Sequence, residues 1–320
     1  MTLVDRVRAL QAAGRLDLAP IGAGHTAERW QALAELARHD VSEARIVEAH
    51  VDAVQILGEA GRPVPARSLF GVWASEHPRW TVTGTVADDR IELHGAKAFC
   101  TGAGIVDHAL ITATVDGRHA LLEVPLQDLA PERIDPSGWV NHALADTVTA
   151  VVDLDGLNVA ASAQVGADRW YLDRPGFWDG AIGPAACWAG AALGLVDHAA
   201  AHPPSDPHGR AHLGALEALA WELRAVLDQS GHQIDAAARS GTEDAAVAQR
   251  RALVVRHLIE TACAEIQDRF ARALGPRPLV SDPAVIERDH ALSLYRRQSH
   301  AERDLEALAG LAAPPVDPPT

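Results

Sequence analysis

Three residues near the end of the chain have side chains suited to proton transfer: His300, Glu302 and Asp304. In a helix, His300 and Asp304 would be spaced i, i+4 and share one face, where the carboxylate can orient the imidazole and favour its charged form. Glu302 would lie on another face and is a second candidate base. The alternative is that His300 is a solvated residue on a charged helix. The pattern therefore indicates either an acid–base site or a polar surface.

Three further histidines, His202, His208 and His212, surround a proline-rich loop. No carboxylate or cysteine completes a regular metal-ligand spacing around them, so the sequence predicts no metal site. The three cysteines of the chain are far apart in sequence, and the N-terminal segment has no apolar signal core. These features indicate a reduced, cytoplasmic protein.

The overall composition excludes several classes of protein. The 320 residues carry 28 Lys and Arg against 43 Asp and Glu, and this excess of negative charge disfavours non-specific binding to nucleic acid. No apolar run reaches the roughly 20 residues that a membrane span requires. A chain of this length is expected to fold as two or three packed units.

Hydrophobic periodicity divides the chain into three parts. A helical period over residues 26–60 gives way to a period of two, with Asp-Gly and Asp-Asp turns, and the helical period then returns. The tail is rich in proline, which cannot continue a helix, and is predicted to be disordered. The predicted divisions are a short N-terminal helical domain (1–68), an antiparallel β domain (69–173), a four-helix bundle (174–311, with helices at 177–201, 211–239, 243–273 and 282–309) and the tail (312–320).

The segment Leu93–Leu110 carries the most specific resemblance to a known family. It contains a Gly-Ala-Lys turn, the aromatic Phe99, then Thr101, and a loop of small residues that leads into a strand. This order resembles the β domain of the acyl-CoA dehydrogenase family. The resemblance implies an α+β multidomain fold, in which a shortened N-terminal helical domain precedes the β domain and the four-helix bundle.

The resemblance also implies a flavin cofactor, FAD. Phe99 and Thr101 take the positions that line the flavin ring in the family, and a flavin does require an apolar wall and a nearby hydrogen-bond donor. Trp73 and Ser75, in a segment that resembles the first strand of the same domain, are further candidate cofactor contacts. Arg210, in Arg-Ala-His-Leu-Gly, matches the arginine that reaches the flavin pyrophosphate from a neighbouring subunit, a task suited to its planar fork of donors.

The sequence departs from the family at three functional positions. The Gly-Ser-Asp loop expected after Ser75-Glu76 is missing, and the later Gln-x-x-Gly-Gly signature is not reproduced. His300 lies near the position of the usual catalytic Glu, in a stretch that is similar to the flavin-dependent monooxygenase branch of the fold. These departures leave the activity open.

Three functions are therefore expected as alternatives. The first is α,β-dehydrogenation of an acyl thioester by a flavin-dependent oxidoreductase, with an electron acceptor that the sequence does not identify. The second is a two-component monooxygenase that uses oxygen and reduced flavin from a reductase. The third is a non-catalytic partner of a larger homologous subunit. The resemblance also implies a homodimer or homotetramer, because the family completes its flavin site across an interface.

Overall fold

The computed structural model describes residues 1–241 and 244–311. The predicted disordered tail, 312–320, lies outside the described residues. The chain forms two compact units: the first comprises residues 1–18 and 42–177, and the second comprises residues 19–41 and the chain from residue 178 onward. The division into three domains stays a prediction.

The secondary structure begins and ends with helices. The helices are α1 (Leu3–Ala12), α2 (Thr26–His39), α3 (Val41–Glu59), α4 (Trp170–Asp173), α5 (Phe177–Gly180), α6 (Gly183–Ala201), α7 (Pro207–Ser240), α8 (Ala245–Leu274), α9 (Arg277–Ser281), α10 (Pro283–Tyr295) and α11 (Glu302–Gly310). The strands are β1 (Phe70–Trp73), β2 (Val82–Ala87), β3 (Arg90–Cys100), β4 (His108–Val115), β5 (Arg118–Pro125), β6 (Ile134–Asp135), β7 (Ala150–Asp153), β8 (Asn158–Ala160) and β9 (Gln164–Val165).

The first unit is built on one sheet with the strand order β6-β7-β3-β2-β4-β5-β9, to which β1 and β8 add beside β4 and β3. The sheet is mixed rather than purely antiparallel, because β1 and β2 both pair with β4 in parallel. A period of two marks a strand but carries no information about the direction of its partner. The prediction of an antiparallel domain was wrong in these two pairings.

Strand β3 changes partners along its length, and Gly95 is where it does so. Residues 90–95 pair with β2, whereas Ala96 and Lys97 pair with β7. Gly95 has a φ of +94°, and a Cβ there would collide with the carbonyl oxygen of Thr81. Only glycine fits this bend without strain.

Helix α3 covers the sheet of the first unit. An apolar core forms between them and includes Phe70 of β1 and Leu110 of β4. The other buried members are Ala53, Ile56, Leu57, Leu121 and Val165. The apolar spacing that predicts a helix over this part of the chain thus also identifies the face that is buried.

The second unit is a helical bundle to which α2 contributes. Helix α6 is buried along most of its length, and its Gly190 lies directly against the backbone of Ala34 in α2. A side chain at residue 190 would force the two helices apart. The run of Gly and Ala in α6 is therefore a close-packing surface. Helices α7 and α8 cover nearly the residues predicted for them, whereas the helix predicted at 177–201 divides into α5 and α6.

The fourth predicted helix, 282–309, is interrupted. It divides into α10 and α11, with a 3₁₀ turn at Arg296–Gln298 between them. The carbonyl of Gln298 accepts a hydrogen bond from Arg256 of α8 at 2.7 Å instead of continuing the helix. Ala301 then adopts a φ of +47°, which places it outside helical geometry. No Gly or Pro marks the break, and a prediction from periodicity alone missed it.

Among the described residues, one helical stretch, Phe177–Ala201, has the length and apolarity of a membrane span. However, 83% of its most apolar window is buried inside the protein, as in a core helix. Its composition is explained by packing within the second unit.

The start of α2 is capped by a carboxylate from α7. Asp235 is buried and accepts hydrogen bonds from the Thr26 hydroxyl at 2.6 Å and from the backbone N–H groups of Thr26 and Gly24 at 3.0 Å. Burial alone would raise the pKa of Asp235, but these hydrogen bonds outweigh it and lower the pKa below its usual value. The ionised carboxylate supplies the cap that the N-terminus of a helix needs.

Replacing Asp235 with Ala is expected to lower the free energy of unfolding by about 2 kcal/mol or more, because three donors lose a charged acceptor. The depressed pKa means that this contribution is present above the unfolded-state pKa of the carboxyl and is lost as the pH falls through the folded-state pKa. Urea unfolding at neutral and acidic pH should therefore show the difference from wild type narrowing in acid. Glu217→Ala, at an exposed position of the same helix, is the control. A constant difference across pH would contradict this account.

Candidate functional site

A β-bulge in β3 orients the two residues of the predicted flavin wall. Lys97 pairs with Val152 and Cys100 with Ala150, so two residues of β3 oppose the single Val151 of β7. Phe99 lies in this bulge with a φ of +58° and is 53% exposed, although Ala98 and Cys100 on either side are buried. A left-handed backbone at an aromatic residue is strained, and such strain is typical of functional sites.

Thr101 follows the bulge and is 8% exposed. Its carbonyl accepts a hydrogen bond from the indole of Trp73 at 3.0 Å. The structure thus brings together two predicted cofactor residues, with Trp73 fully buried behind Thr101. Trp73 is therefore placed to support Thr101 from the core.

A chain of polar groups surrounds the Thr101 hydroxyl. Arg45 of α3 donates to Thr101 Oγ1 at 3.2 Å, and Thr149 Oγ1 lies 3.0 Å from the same oxygen. Thr147 Oγ1 lies 3.4 Å from Thr149 Oγ1 and donates to the carbonyl of Leu144 at 2.7 Å. Sequence reasoning missed these residues. The Thr-Val-Thr alternation at 147–149 reads as an ordinary strand, and Arg45 is 56 residues from Thr101.

Lys97 anchors the strand from inside the first unit. Its side chain is 1% exposed, and its ammonium donates to the hydroxyl and carbonyl oxygens of Thr112 at 2.7 and 3.1 Å and to Glu76 at 3.1 Å. Burial would raise the pKa of Glu76, but the hydrogen bonds from Thr112 and Lys97 lower it overall. Ser75, the neighbouring predicted cofactor residue, is exposed in the loop after β1. Of the predicted Ser75-Glu76 pair, Glu76 thus binds the buried Lys97, whereas Ser75 has only an exposed position.

In the second unit, the structure brings His300 and Asp304 together, although not on one helical face. His300 precedes α11, and its backbone N–H donates to one oxygen of Asp304 at 3.1 Å. The other carboxylate oxygen lies 3.4 Å from His300 Nδ1. The imidazole is 66% exposed, whereas Asp304 is 14% exposed. The exposed imidazole therefore lies near a largely shielded carboxylate and is accessible to a ligand or solvent.

The segment before His300 is clamped to α8. Arg296 and Arg297 form ion pairs with Glu260, and Arg256 binds the Gln298 carbonyl. These contacts hold the helix break at the position from which the His300 side chain emerges.

Two predicted site residues of the second unit remain on its surface. Glu302 is exposed in the first turn of α11. Arg210 is exposed in the first turn of α7, and its guanidinium donates to the carbonyl of Ser205 just before that helix. Their predicted roles stay predictions.

The histidines around the proline-rich loop do not form a metal centre in the described part of the chain. Within residues 1–241 and 244–311, no three or more His, Cys, Asp or Glu side chains lie close enough together to hold a metal ion. The backbone N–H of His208, the second residue of α7, donates to Asp206, and His212 Nδ1 lies 3.3 Å from a guanidinium nitrogen of Arg269.

No protein-family model and no curated protein sequence matches the chain. Solved structures do match it. FMN-bound TdsC from Paenibacillus sp. A11-2, a dibenzothiophene monooxygenase, superposes with a TM-score of 0.79 at 16% identity, over 96% of this chain and 94% of its own. KijD3, in complex with FMN and a dTDP-linked amino-keto sugar, has a TM-score of 0.81 at 18% identity, over 98% of this chain and 88% of its own. The HsaA monooxygenase from M. tuberculosis has a TM-score of 0.74 at 15% identity, over 96% of this chain and 90% of its own.

The chain has the acyl-CoA dehydrogenase fold. The predicted fold class is thereby confirmed, including the order of helices, sheet and bundle. At 15–18% identity the likeness establishes the fold and leaves the activity to be argued from the residues.

The strain at Phe99 leads to a test of stability. Phe99→Asn should leave the free energy of unfolding unchanged or raise it by up to about 1 kcal/mol, because Asn tolerates the left-handed backbone and the lost ring is half exposed. Phe70→Ala, at a fully buried phenylalanine, should instead cost about 3–5 kcal/mol. Chemical denaturation of both variants compares them, and a loss at Phe99 as large as that at Phe70 would show that the ring is a core element.

Proposed function

We propose that the protein is a flavin-dependent monooxygenase of the acyl-CoA dehydrogenase fold that uses reduced FMN and oxygen. The observation that carries this proposal is the exposed ring of Phe99, held on a strained left-handed backbone two residues before Thr101. The two residues fit the needs of a flavin, since Phe99 offers an apolar surface and Thr101 a hydroxyl group. Reduced flavin, when bound, would supply two electrons as the O–O bond breaks, one oxygen atom entering the substrate and the other leaving as water.

Two features favour oxygen chemistry over dehydrogenation of an acyl thioester. His300, held by Asp304, occupies the stretch in which an acyl-CoA dehydrogenase would place a glutamate base. Two of the similar structures, TdsC and HsaA, are described as monooxygenases. Dehydrogenation and the role of a non-catalytic partner subunit are the alternative outcomes of the test below.

His300 is proposed as the group that moves protons in this reaction. Asp304 accepts from the His300 backbone N–H and lies 3.4 Å from Nδ1, and we propose Nε2 as the nitrogen that donates or accepts. Because the carboxylate contacts both groups, it also limits rotation of the ring. Glu302 remains a second candidate for this role.

FMN is proposed in place of the expected FAD. TdsC and KijD3 are both FMN complexes. Arg210 was assigned to a pyrophosphate, which FMN lacks, and in the structure it binds the Ser205 carbonyl at the start of its own helix. The substrate is proposed to be a small molecule and the flavin to come from a separate reductase. A homodimer or homotetramer, with or without a larger homologue, stays a prediction that light scattering can measure.

The cofactor is tested by titrating the purified protein with FMN and FAD, oxidised and reduced, under anaerobic conditions. We expect reduced FMN to bind most tightly and to consume oxygen on mixing with air. Reduction of bound flavin by an acyl-CoA, in the absence of a reductase, would instead indicate a dehydrogenase. Failure to bind any flavin would support the partner-subunit alternative.

Replacing Arg210 separates the two flavins. Arg210→Ala should change the dissociation constant of FMN by less than about twofold, because an exposed guanidinium contributes little to binding. If FAD is the cofactor and Arg210 contacts its pyrophosphate, the affinity for FAD should fall by about tenfold or more, as expected for a lost charge-assisted contact. Arg224→Ala, at another exposed position of α7, is the control.

Replacing His300 tests proton transfer. His300→Asn should slow reoxidation of bound reduced FMN by oxygen by about 10²-fold or more while leaving FMN affinity unchanged, since a positioned acid or base commonly contributes 10²–10⁴-fold. Asp304→Asn should have a smaller effect in the same direction. Glu302→Gln tests the second candidate and should leave the rate unchanged. Stopped-flow absorbance measures each rate, and a rate that falls only in Glu302→Gln would transfer the role to that residue.

A further inference from the structure

The hydrogen bonds around Thr101 constrain where its single hydroxyl proton can go. The Arg45 guanidinium has donors only, so Thr101 Oγ1 must accept in that contact. At the other end of the chain, the Leu144 carbonyl can only accept, so Thr147 must donate to it. Thr147 can therefore only accept from Thr149. The hydrogen-bond directions at both ends of this row of polar groups are therefore fixed, whereas the directions of the Thr101 and Thr149 hydroxyl protons are not.

Two proton arrangements satisfy these constraints. In the inward arrangement, Thr101 donates to Thr149, which donates to Thr147 across 3.4 Å. In the outward arrangement, Thr149 donates to Thr101, which then accepts from both Thr149 and Arg45 and directs its own proton elsewhere. The contact of Thr149 with Thr101 is 0.4 Å shorter than its contact with Thr147, 3.0 against 3.4 Å. Because the longer contact is the weaker one, the outward arrangement loses only a weak hydrogen bond, the one from Thr149 to Thr147.

The backbone around these hydroxyls is strained at both contributing segments. Leu144 and Val148 have φ values of +56° and +47°, and Phe99 has +58°. The Thr147 and Val148 carbonyls accept from the N–H groups of Gly102 and Ala103 at 2.8 and 3.2 Å, which docks the strained loop on the turn after Thr101. A β-branched residue such as Val148 is rarely left-handed. The fold thus sustains strain in the segments that bring Thr147 and Thr149 next to Thr101.

We propose that Arg45 and Thr149 are positioning residues that set, in opposite senses, the direction of the Thr101 hydroxyl proton: Arg45 favours its presentation to a bound flavin and Thr149 draws it away. This inference rests on the proposed function, because it requires flavin to bind beside Thr101. Arg45 occupies one acceptor site of Thr101 and Thr149 competes for its proton. The two residues therefore act in opposite senses, which a merely structural role would not produce.

The test is a double-mutant cycle read out by FMN affinity and by the visible absorption spectrum of bound FMN. Thr149→Val removes the competing acceptor and should tighten FMN binding by about twofold or more, since one neutral hydrogen bond is commonly worth about two- to tenfold. Arg45→Met should weaken binding by about fivefold. Both substitutions should also shift the visible absorption of bound FMN. When Thr101→Val is already present, these shifts should disappear, except for the direct effect of the Arg45 charge, which the double-mutant cycle separates from the effect through Thr101.

Two controls separate positioning from folding. Thr149→Ser restores the hydroxyl and should restore wild-type affinity and spectrum, while Thr114→Val makes the same chemical change on β4 and should alter neither. If Thr149→Val fails to fold, Arg45→Met with and without Thr101→Val decides the question. Effects that are equal in both Thr101 backgrounds, or weaker FMN binding in Thr149→Val, overturn the inference while leaving the proposed function intact. Absence of flavin binding in the wild type overturns both.

Discussion

The arrangement of the candidate site depends on one extra residue in strand β3. Without the bulge between Lys97 and Cys100, the alternation of a strand would direct Phe99 to the same side as the buried Lys97. With the bulge, the ring is presented outward while Thr101 stays inside, on the Trp73 indole. Bulges are known to redirect side chains near active sites. The left-handed backbone at Phe99 is the cost of this arrangement, and Lys97 and Cys100 on either side keep the strand paired.

Sequence reasoning could predict this candidate site because its signal is local. The turn before Lys97, the aromatic and the threonine lie within seven residues, and the strands around them alternate clearly. The partners of Thr101 were not accessible in the same way, since Arg45 and Thr149 are 56 and 48 residues away from it. The break before His300 was missed for a similar reason. It is produced by Arg256 and Glu260 on another helix rather than by a breaker in the local sequence.

The same fold supports more than one chemistry, so the distinction must come from individual side chains. A dehydrogenase needs a base that removes a carbon-bound proton, and a carboxylate is suited to that task. Chemistry with oxygen needs a group that both gives and takes a proton near neutral pH, and an imidazole does so. The pairing of His300 with the shielded Asp304 fits the second need better than the first. The shared architecture with FMN-binding structures then indicates which cofactor to try first.

The order in which the chain supplies the two units has a consequence for its biosynthesis. Helix α2 belongs to the second unit, while the chain on either side of it belongs to the first. Thr26 must therefore wait for Asp235, 209 residues later, before α2 receives its cap. At about 5–20 residues per second of translation, that interval is roughly 10–40 s. For most of this time the apolar face of α2 is uncovered, because α6, which packs against it at Gly190, also comes late in the chain. Neither unit can be produced by cutting the gene at a single point.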